Sequence, residues 1–450
     1  MMASLRVLFL LKRMKKKIFN LLNKKIISKQ LIISVIGMGY VGLPLALLFG
    51  KKFKTIGLDI SKIKIANLKK KKDYNKQCTL NEFKKSKYIH FSNKYESIQN
   101  SDIIIVCLPT PVYKNHQPDL RILVSASREI GKYLKKSAIV VYESTVFPGT
   151  VEEICSKIIE KNSKLTWKKN FHLGYSPERV NPNDSKHKIQ NVEKIVSGDS
   201  ILVTKLLKKI YQNIVSKKII LVNNIKVAET AKILENTQRD LNIALMNEVA
   251  IICNKLNIST KDTIDAAATK WNFAKFYPGL VGGHCIGVDP YYLKYKSLKL
   301  GIHPKIISAG RDVNDSMVNY VFKILKEKIG NKKRKLLFLG VTFKEDCNDM
   351  RNSKNIEVVK KFIDNKKHYV DAYDPFLQNN QYDPYFRKHF KSLKELRKDY
   401  FAVIILVPHI KILKKKFFFL NKIVNGGYLF DLKGMINKKN LNKELKYWSL

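Results

Sequence analysis

The order of apolar and polar positions predicts strands that alternate with helices over the first half of the chain. Short apolar runs bounded by glycine or polar residues are typical of buried strands. Five such runs are Leu31–Ile36, Thr55–Leu58, Asp102–Leu108, Ala138–Tyr142 and Phe171–Gly174. Helices between strands at this spacing favour a parallel sheet, so the pattern predicts an α/β domain over residues 31–215.

A long stretch without helix breakers follows this domain. From Ile201 to Tyr277 the sequence contains neither glycine nor proline, and we predict that the whole stretch is helical. An apolar series on this helix indicates burial between domains or across a subunit interface. The series consists of Leu241, Leu245, Val249 and Ile252. We interpret the helix as the connection between two halves of the protein, within a small helical domain at residues 216–325.

The second half has an α/β pattern of its own, over residues 326–450. Predicted strands lie at Leu336–Gly340, His368–Tyr373, Phe401–Val407 and, as the last short strand, Gly427–Leu432. A helix is predicted at Asn352–Ile363, and this half lacks a G-x-G-x-x-G sequence. The predicted fold class is therefore α/β, with two Rossmann-like doubly wound domains joined by a long central helix and a small helical domain.

Composition and cysteine spacing are typical of a globular protein of the cytoplasm. The 450 residues are 45% hydrophobic, which suffices for two or three domains. The six cysteines are far apart and form neither a Cys-x-x-Cys pair nor a zinc-type Cys/His cluster. We therefore expect free thiols in a reducing compartment and no metal site. No apolar run approaches the roughly 18 residues of a membrane span.

The charge balance changes this picture little. A net charge of +48, from 85 Lys and Arg against 37 Asp and Glu, would suggest a nucleic-acid or membrane partner. Lysine is scattered over every segment, which indicates a compositional bias and not one basic face. We expect no nucleic-acid partner and no stable membrane association. Residues 1–30 form a basic extension, which we interpret as a poorly ordered leader with Met14 as the start; a basic surface-binding helix is the alternative.

The sequence Gly37-Met-Gly-Tyr-Val-Gly42 lies between the first predicted strand and an apolar helix, Leu43–Phe49. In this context Gly37 makes a tight turn, Gly39 lets a pyrophosphate approach the helix N-terminus, and Gly42 permits close packing of helix on strand. Asp59, about 20 residues further on at a strand end, is placed to accept hydrogen bonds from ribose hydroxyls, which favours NAD over NADP. A glycine turn beside an unrelated acid is the alternative.

A second glycine-rich stretch, Val281-Gly-Gly-His-Cys-Ile-Gly-Val-Asp-Pro290, holds one cysteine. Its three glycines allow a ligand to approach the backbone around Cys285, and His284 and Asp289 supply local polarity. Since the thiolate is the reactive form of cysteine, this setting suits a covalent nucleophile. A glycine-rich turn with an incidental thiol is the alternative.

Three polar residues follow predicted strands, where open parallel sheets bind their ligands. They are Thr110, Thr145 and Glu178. Each threonine also fits a helix cap, and Glu178 also fits an exposed loop acid.

Cations and amides provide further candidates. Lys232 and Asn236 lie four residues apart on one face of the predicted helix, with Arg239 and Asp240 nearby, and together suit an oxyanion. An exposed lysine on a solvated face is the alternative. In the loop that begins at Val341, Lys344 and Arg351 offer positive charge to an anion such as a second nucleotide.

These segments together resemble the UDP-sugar 6-dehydrogenase family, whose best-known member is UDP-glucose dehydrogenase. The similarity spans roughly Leu31 to Leu432. The matching segments are Gly37–Gly42, Pro109–Pro111, Glu143–Val146, Ser176–Glu178, Glu229-x-x-Lys-x-x-x-Asn236, Gly282-Gly-His-Cys-x-x-x-Asp289, and Phe343–Lys344 with Arg351.

The resemblance implies a four-electron oxidation of a sugar C6 alcohol to a carboxylate, with reduction of two NAD+ and no release of the aldehyde. Cys285 would add to the aldehyde to give a thiohemiacetal and then a thioester, which water hydrolyses. Lys232 and Asn236 would stabilise the oxyanions. Asp289 and Thr145 would position water, and Glu178 would assist hydrolysis as a base.

The resemblance also implies binding residues and domain roles. The cofactor-binding positions are Gly37, Met38, Gly39, Tyr40, Val41, Gly42, Asp59, Lys64, Thr110, Thr145 and Arg351. The substrate-binding positions are Glu178, Arg179, Val180, Lys232, Asn236, Arg239, Tyr277, Gly283, Phe343 and Lys344. Residues 31–215 would bind NAD, residues 216–325 would form the catalytic and dimerisation domain, and residues 326–450 would bind the UDP-sugar, in a homodimer or higher homo-oligomer.

One departure from the family pattern selects a branch. UDP-glucose enzymes typically carry a glutamate four residues beyond the first and a lysine before the catalytic-loop aspartate, where this chain has Pro182 and Val288. The chain resembles instead the branch that acts on UDP-N-acetylhexosamines, of the gluco or galacto configuration, for surface polysaccharide synthesis. The alternatives are a UDP-glucose 6-dehydrogenase, a dehydrogenase performing a single two-electron oxidation of a hydroxy acid or other acidic substrate, and a basic binding protein on an enzyme scaffold.

Overall fold

The computed structural model describes residues 19–75, 77–179, 187–377, 384–438 and 441–450. These residues fall into two compact units. The first unit contains the chain up to Leu234 together with Tyr291–Lys296, and the second contains Glu235–Pro290 and the chain from Ser297 onward. Each unit is built around one sheet.

The sheet of the first unit is formed by the apolar runs of the sequence and by three further strands, β3, β7 and β8. Six strands are parallel in the order β3-β2-β1-β4-β5-β6, and β7 pairs antiparallel with β6 and parallel with β8. The strands are β1 Ile32–Ile36, β2 Lys54–Leu58, β3 Ile89–Ser92, β4 Ile103–Val106, β5 Ile139–Tyr142, β6 His172–Tyr175, β7 Lys194–Gly198 and β8 Ile219–Leu221. The order reverses between β1 and β4, and ligands of such sheets bind at the carboxyl ends of the strands at this point.

Helices and one π-helical turn connect these strands. They are α1 at 19–27, α2 Gly42–Phe49, α3 Lys62–Lys69, α4 Leu80–Lys85, α5 Arg121–Tyr133, the π-helical turn Thr150–Cys155, α6 Ser156–Ser163 and α7 Ile201–Tyr211. The core lies between helices and sheet, where strand residues such as Ile33, Val35, Ile105 and Val141 are fully buried.

The helix α1 corrects the expectation of a poorly ordered leader for residues 19–27. Phe19, Leu22 and Ile26 lie on one face of α1 and are buried. The Phe19 ring lies 5.4 Å from the ring of His172, and Lys25 Nζ donates to Asp102 Oδ1 at 2.9 Å. Burial of this apolar stripe orders the lysine-rich segment, while Lys24 stays exposed and Lys25 is paired with Asp102. The start position Met14 lies outside the described residues.

The prediction of one helix from Ile201 to Tyr277 is wrong. The strand β8 interrupts it, because a run of branched apolar side chains pairs with β7 as a strand. Two further helices follow, α8 Ile225–Leu256 and α9 Thr260–Ala267. Asn257 ends α8 with a positive φ of 56°, and the Ser259 hydroxyl caps α9 by accepting from the Asp262 amide. The chain thus ends helices here without glycine or proline.

The helix α8 is the long central helix, with 32 residues that run from the first unit into the second. Its predicted apolar series is not buried within the chain. Leu245 and Ile252 are 54% and 52% exposed.

The second unit has a five-stranded parallel sheet in the order β10-β9-β11-β12-β13. The strands are β9 Lys335–Leu339, β10 Tyr369–Tyr373, β11 Tyr400–Ile405, β12 Ile423–Asp431 and β13 Lys446–Trp448. The prediction that Gly427–Leu432 is the last strand is wrong, since β13 follows it. β13 has only three residues at the sheet edge, and its apolar signal is the single buried side chain of Trp448.

The remaining helices complete the second unit and the segment that returns to the first. They are α10 Asp289–Lys299, α11 Lys305–Ile329, α12 Lys354–Asn365, α13 Pro384–Arg387, α14 Ile410–Lys414 and α15 Lys416–Leu420. The α/β fold class with parallel, Rossmann-like sheets is therefore confirmed. Within the described residues, no helix is long and apolar enough to cross a membrane.

Candidate active site

Two glycines of the first loop lie where the backbone leaves no room for a side chain, and the third faces open space. A Cβ on Gly37, which has φ +96°, would lie 2.4 Å from the carbonyl oxygen of Cys107. A Cβ on Gly42 would lie 1.9 Å from the carbonyl oxygen of Gly37, so helix and loop touch only because no side chain is present. A Cβ on Gly39 would meet no heavy atom within 4 Å. The open space above Gly39, at the start of α2, therefore fits the pyrophosphate of a dinucleotide.

Asp59 binds this loop and two residues that line a pocket, Ser61 and Lys64. Its Oδ2 accepts from the Met38 amide at 3.0 Å and from Lys64 Nζ at 2.7 Å, and its Oδ1 accepts from the Ser61 amide at 3.0 Å. Met38, Ser61 and Lys64 line a pocket together with Asn67 and Tyr74. A buried acid at the end of β2 beside an open pocket fits the adenosine ribose of NAD. Tyr40 and Val41 complete the loop and are half-buried.

The two threonines lie together at the carboxyl ends of β4 and β5. The Thr110 hydroxyl donates to the carbonyl oxygen of Thr145 at 2.6 Å, and the Tyr292 hydroxyl donates to the carbonyl oxygen of Thr110 at 2.7 Å. The Thr110 hydroxyl thus links the loop after β4 to the loop after β5. Gly149, and not Thr145, precedes the π-helical turn. The helix-cap alternative is therefore wrong for both residues.

Glu178 lies three residues after β6 and is half-buried. Its Oε1 accepts from the amide of Arg179 at 2.8 Å, and Arg179 itself is exposed. Val180 lies outside the described residues. Glu178 is therefore not a fully solvated loop acid, because its side chain is only partly exposed.

Two buried acids of the first unit were not predicted as functional. Glu143 accepts from Lys194 Nζ at 2.9 Å and from the Tyr211 hydroxyl, and Glu178 is close enough to raise the pKa of Glu143, which burial raises most. Glu229 accepts from the amides of Gly149 and Val151. Both acids lie in segments that match the family pattern. The sequence alone does not show which residues these acids bind, because their partners are brought close only by the fold.

Lys232 and Asn236 lie on the buried face of α8, so an exposed lysine on a solvated face is wrong. Lys232 is 9% exposed and Asn236 is 4% exposed. Asn236 Nδ2 donates to Asp289 Oδ2 at 2.6 Å. This bond joins two residues of the second unit to which the family resemblance assigns catalytic roles. Arg239 is half-buried on the same helix.

The cysteine loop is held close to the backbone of the segment before α12. The Gly283 amide donates to the carbonyl oxygen of Asn352 at 3.1 Å, and a Cβ on Gly282 would lie 2.4 Å from that same oxygen. The ring of Phe343 packs on Gly283, where a Cβ would come within 2.6 Å of it. Glycine is required at both positions because the two chain segments are in direct contact.

Cys285 is exposed, in contrast to the other five cysteines, which are buried or half-buried. Its carbonyl oxygen accepts from the amides of Val288 and Asp289 at 3.0 and 2.8 Å, so the thiol lies on the turn that begins α10. Burial raises the pKa of Cys107 and Cys155 above the ordinary value. The accessible thiol is thus the one in the glycine-rich loop, which favours the nucleophile over an incidental thiol.

The loop from Val341 to Ser353 carries the predicted anion-binding residues of the second unit. Arg351 binds Asp349 through Nε at 3.0 Å and Nη2 at 2.7 Å. Burial would raise the pKa of Asp349, but hydrogen bonds with His284 and Arg351 outweigh it and hold that pKa well below its usual range. Phe343 and Lys344 line a small cavity with Gly279. Tyr277 is exposed, and its hydroxyl donates to Asp265 at 3.2 Å.

The candidate residues divide between the two units. The first unit contains the glycine loop Gly37–Gly42, Thr110, Thr145, Glu178 and Lys232. The second contains Asn236, Cys285, Asp289 and the loop Val341–Ser353. Among the residues described, no three of His, Cys, Asp and Glu are grouped so as to hold a metal ion.

Comparison with known proteins identifies the family. The chain matches three successive domain models of the UDP-glucose/GDP-mannose dehydrogenase family, namely the NAD binding domain at residues 31–215, the central domain at 226–316 and the UDP binding domain at 337–438. The sequence similarity extends to Protein CapL of Staphylococcus aureus, which is 42% identical over 93% of this chain and 99% of the relative.

Enzymes with a named activity are equally similar. The UDP-N-acetyl-D-glucosamine 6-dehydrogenase of Salmonella typhi is 45% identical over 84% of this chain and 89% of the relative, and that of Pseudomonas aeruginosa is 46% identical over 78% and 84%. The solved structure of UDP-D-ManNAc dehydrogenase from Pyrococcus horikoshii has a TM-score of 0.82 at 26% identity and covers 93% of this chain and 99% of that chain. The chain therefore belongs to the UDP-glucose/GDP-mannose dehydrogenase family and is an NAD-dependent UDP-sugar dehydrogenase.

Proposed function

We propose that this enzyme oxidises the C6 alcohol of a UDP-N-acetylhexosamine, UDP-GlcNAc or UDP-GalNAc, to the UDP-uronate through a covalent bond to Cys285. The observation that carries the proposal is the exposed Cys285 thiol, on a loop bound to Asn352 at one end and, through Asp289, to Asn236 at the other. The names of the relatives from Salmonella typhi and Pseudomonas aeruginosa support the N-acetylhexosamine substrate.

The reaction removes four electrons in two steps. When bound, NAD+ accepts a hydride from C6 in each step, so two NAD+ are reduced for each sugar. After the first step the Cys285 thiolate adds to the aldehyde carbon, which gives a thiohemiacetal. Loss of the second hydride converts it to a thioester, and attack of water releases the carboxylate and regenerates the thiol.

Lys232 and Asn236 stabilise the negative charge that develops on the C6 oxygen. Both side chains are nearly buried, and a fixed cation in a dry site stabilises developing charge more than it would in water. The bond from Asn236 to Asp289 orients both groups before substrate binds. Asp289 and Thr145 position the hydrolytic water, and Glu178 accepts its proton.

Substrate recognition falls to the second unit and to the residues after β6. Phe343, Lys344 and Gly283 bind the UDP-sugar beside the cysteine loop, and Lys344 supplies positive charge to the diphosphate. Arg179, Val180, Arg239 and Tyr277 complete the substrate site. Arg351 binds the cofactor.

The enzyme acts as a homodimer or higher homo-oligomer, with residues 216–325 as the dimerisation domain. The exposed apolar side chains on α8 support this proposal, since Leu245, Ile252 and Leu256 are each more than half exposed. We place the enzyme in the cytoplasm, where its product enters surface polysaccharide synthesis. The NAD-binding and UDP-sugar-binding domains are residues 31–215 and 326–450.

The test is a panel of UDP-GlcNAc, UDP-GalNAc and UDP-glucose incubated with NAD+ and the purified protein. We expect two NADH for each N-acetylhexosamine consumed and slower turnover of UDP-glucose. One NADH per sugar would support a single two-electron oxidation instead, and faster turnover of UDP-glucose would overturn the proposed branch.

A further inference from the structure

Three polar residues of α8 in the second unit lie on one face of the helix. Asn236, Asp240 and Asn247 are separated by four and seven positions, which places them within about 40° of arc at 100° per residue. All three are buried. We call this set the polar stripe. Asn236 binds Asp289, Asp240 binds α11, and Asn247 binds both Gly279 and α11. The stripe is therefore a shared support for these segments of the second unit.

Asn247 binds both backbone groups of Gly279. Its Nδ2 donates to the Gly279 carbonyl oxygen at 3.1 Å, and its Oδ1 accepts from the Gly279 amide at 2.8 Å. A side-chain amide is the group that fits, because it presents a donor and an acceptor side by side. Gly279 lies six residues before Cys285. The bond therefore fixes the start of the segment that carries the thiol.

The orientation of the Asn247 amide is set by a chain of buried polar groups. Asn247 Nδ2 also donates to Asn314 Oδ1 at 2.8 Å, and Asn314 Nδ2 donates to Asp240 Oδ1 at 2.7 Å. Asp240 in turn accepts from Arg311 Nη1 at 2.6 Å. A reversed Asn247 amide would place its oxygen against both the Gly279 carbonyl oxygen and Asn314 Oδ1. The network thus leaves one orientation of the Asn247 side chain.

Close contact between α8 and α11 makes the network fit. A Cβ on Gly310 would lie 2.3 Å from Leu241 Cδ2, so any larger residue at position 310 would have to displace the end of the Leu241 side chain. The adjacent residue Arg311 and the next turn, with Asn314, then reach Asp240.

The stripe also holds the other end of the segment, where Asn236 binds Asp289. Along the helix axis Asn236 and Asn247 are about 16 Å apart, whereas the ten residues from Gly279 to Asp289 could span about 33 Å if extended. The segment is therefore not fully extended between its two ends, and Cys285 lies in its turn at residues 283–288. A shift of either end alters where the thiol points.

We infer that Asn247 is a positioning residue for Cys285, which it places by holding Gly279 in the orientation set by Asn314 and Asp240. The inference rests on the proposed function, in which Cys285 is the nucleophile. Asn247 acts through the backbone of the loop and so differs from Asn236, which touches the reacting groups.

The test compares Asn247→Asp with Asn242→Asp in the full-length enzyme. The Asp at 247 keeps the shape but puts an oxygen against the Gly279 carbonyl oxygen and Asn314. Asn242 is the control, since its amide bonds to the carbonyl oxygen of Gln238 on its own helix. We expect Asn247→Asp to lower kcat by at least about tenfold and leave the KM for UDP-GlcNAc within about threefold, because small displacements of a reacting group affect the rate more than binding.

A second readout separates positioning from stability. The rate at which iodoacetamide alkylates Cys285 in the folded protein should change at least about threefold in Asn247→Asp and not in Asn242→Asp. If Asn247→Asp does not fold, Asn247→Ser replaces it in both measurements, because the serine offers a single hydroxyl to Gly279 in place of the amide. If a folded Asn247 variant keeps the parental kcat and alkylation rate while Cys285→Ala is inactive, the inference is overturned but the proposed function stands. Full activity of Cys285→Ala would instead overturn the proposed function.

Discussion

Glu229 accepts a hydrogen bond from the Gly149 amide, with 2.6 Å between Oε2 and the nitrogen, and its Oε1 accepts from the Val151 amide at 3.0 Å. Glu229 precedes Lys232 by one helical turn, and Gly149 follows Thr145 by four residues. The buried carboxyl group therefore fastens the loop that carries Thr145 to the helical turn that carries Lys232. Two candidate catalytic groups of the first unit are held together by a residue that contacts neither substrate nor cofactor in the proposed reaction.

This contact predicts a pH dependence of stability. Burial raises the pKa of Glu229 from 4.5 to about 8, in spite of the two amide donors. Because the folded state then holds the proton more tightly than the unfolded state, this contribution to the unfolding free energy is complete below about pH 4.5 and is lost as the pH rises through about 8. Glu229→Gln has no such proton, so the stability advantage of the parent should shrink between about pH 5 and about pH 9.

Urea unfolding of both proteins at several pH values measures this difference. The control is Glu248→Gln, which changes an exposed acid on α8, the helix that carries Glu229. Parallel curves for the parent and Glu229→Gln across that range would contradict the prediction.

A second prediction concerns the choice of cofactor. Asp59 binds the glycine loop through the Met38 amide and holds Lys64 at 2.7 Å. Asp59→Asn should weaken the charge-assisted bonds to the ribose hydroxyls and release Lys64 toward a 2′-phosphate. Since a hydrogen bond to a charged group contributes about 1.5–3 kcal/mol, kcat/KM for NAD+ should fall by about 10- to 100-fold.

The measurement is kcat/KM with NAD+ and NADP+ at saturating UDP-sugar. The parent should strongly prefer NAD+, and the ratio should move toward NADP+ in Asp59→Asn. Comparable rates of the parent with both cofactors would contradict the assignment of Asp59.

The parts of the candidate site whose placement the sequence predicts are those fixed by local chemistry or by a general rule of the fold. The glycine loop and Asp59 are such cases, since the spacing of glycine and acid is set by the βαβ geometry. The contact between Thr110 and Thr145 follows from the rule that neighbouring parallel strands end at the same edge. Burial of Lys232 could not be predicted, because a lone lysine on a helix has the same local sequence whether it is buried or exposed.

Partners that are distant in sequence also escaped prediction. Glu229 and Gly149 are 80 positions apart, and Asn247 and Gly279 are 32 apart. Neither a glutamate nor an asparagine in the sequence indicates its hydrogen-bond partner until the packing of α8 is known. The interruption at β8 was missed for a related reason: a strand of three residues is stabilised by β7, and its own sequence is compatible with a helix.

A third prediction concerns the helix α1. Deletion of residues 1–13 should leave folding and turnover intact, because no candidate site residue lies before Gly37. Deletion of residues 1–28 should destabilise the protein, since it removes the buried side chains of Phe19, Leu22 and Ile26 and the bond from Lys25 to Asp102. Phe19→Ala alone should lower the free energy of unfolding by about 3 kcal/mol.

Thermal unfolding of the two truncations and of Phe19→Ala measures these effects, with Leu21→Ala as the exposed control. Equal stability of both truncations would show that α1 does not contribute.

The last prediction separates two oxidations from one at Cys285. The first hydride transfer needs no thiol, so Cys285→Ser and Cys285→Ala should bind UDP-GlcNAc and NAD+ nearly as the parent does. Formation of the uronate should nevertheless fall by orders of magnitude, because a serine hydroxyl is a far weaker nucleophile near neutral pH and its ester is hydrolysed more slowly than a thioester. Cys78→Ser is the control, since burial raises the pKa of the Cys78 thiol and keeps it protonated.

The experiment follows NADH and uronate separately in the three variants and the parent. In the parent, an alkylating reagent should inactivate the enzyme, and UDP-GlcNAc should protect it, because the exposed thiol lies in the proposed substrate site. In Cys285→Ser, NADH formation should outpace uronate formation and leave a trapped adduct or an aldehyde, whereas Cys78→Ser should keep the parental ratio of two NADH to one uronate. Near-normal uronate formation by either Cys285 variant would make this thiol incidental, and the covalent mechanism would then have to be abandoned, because burial makes each of the other five cysteines less accessible.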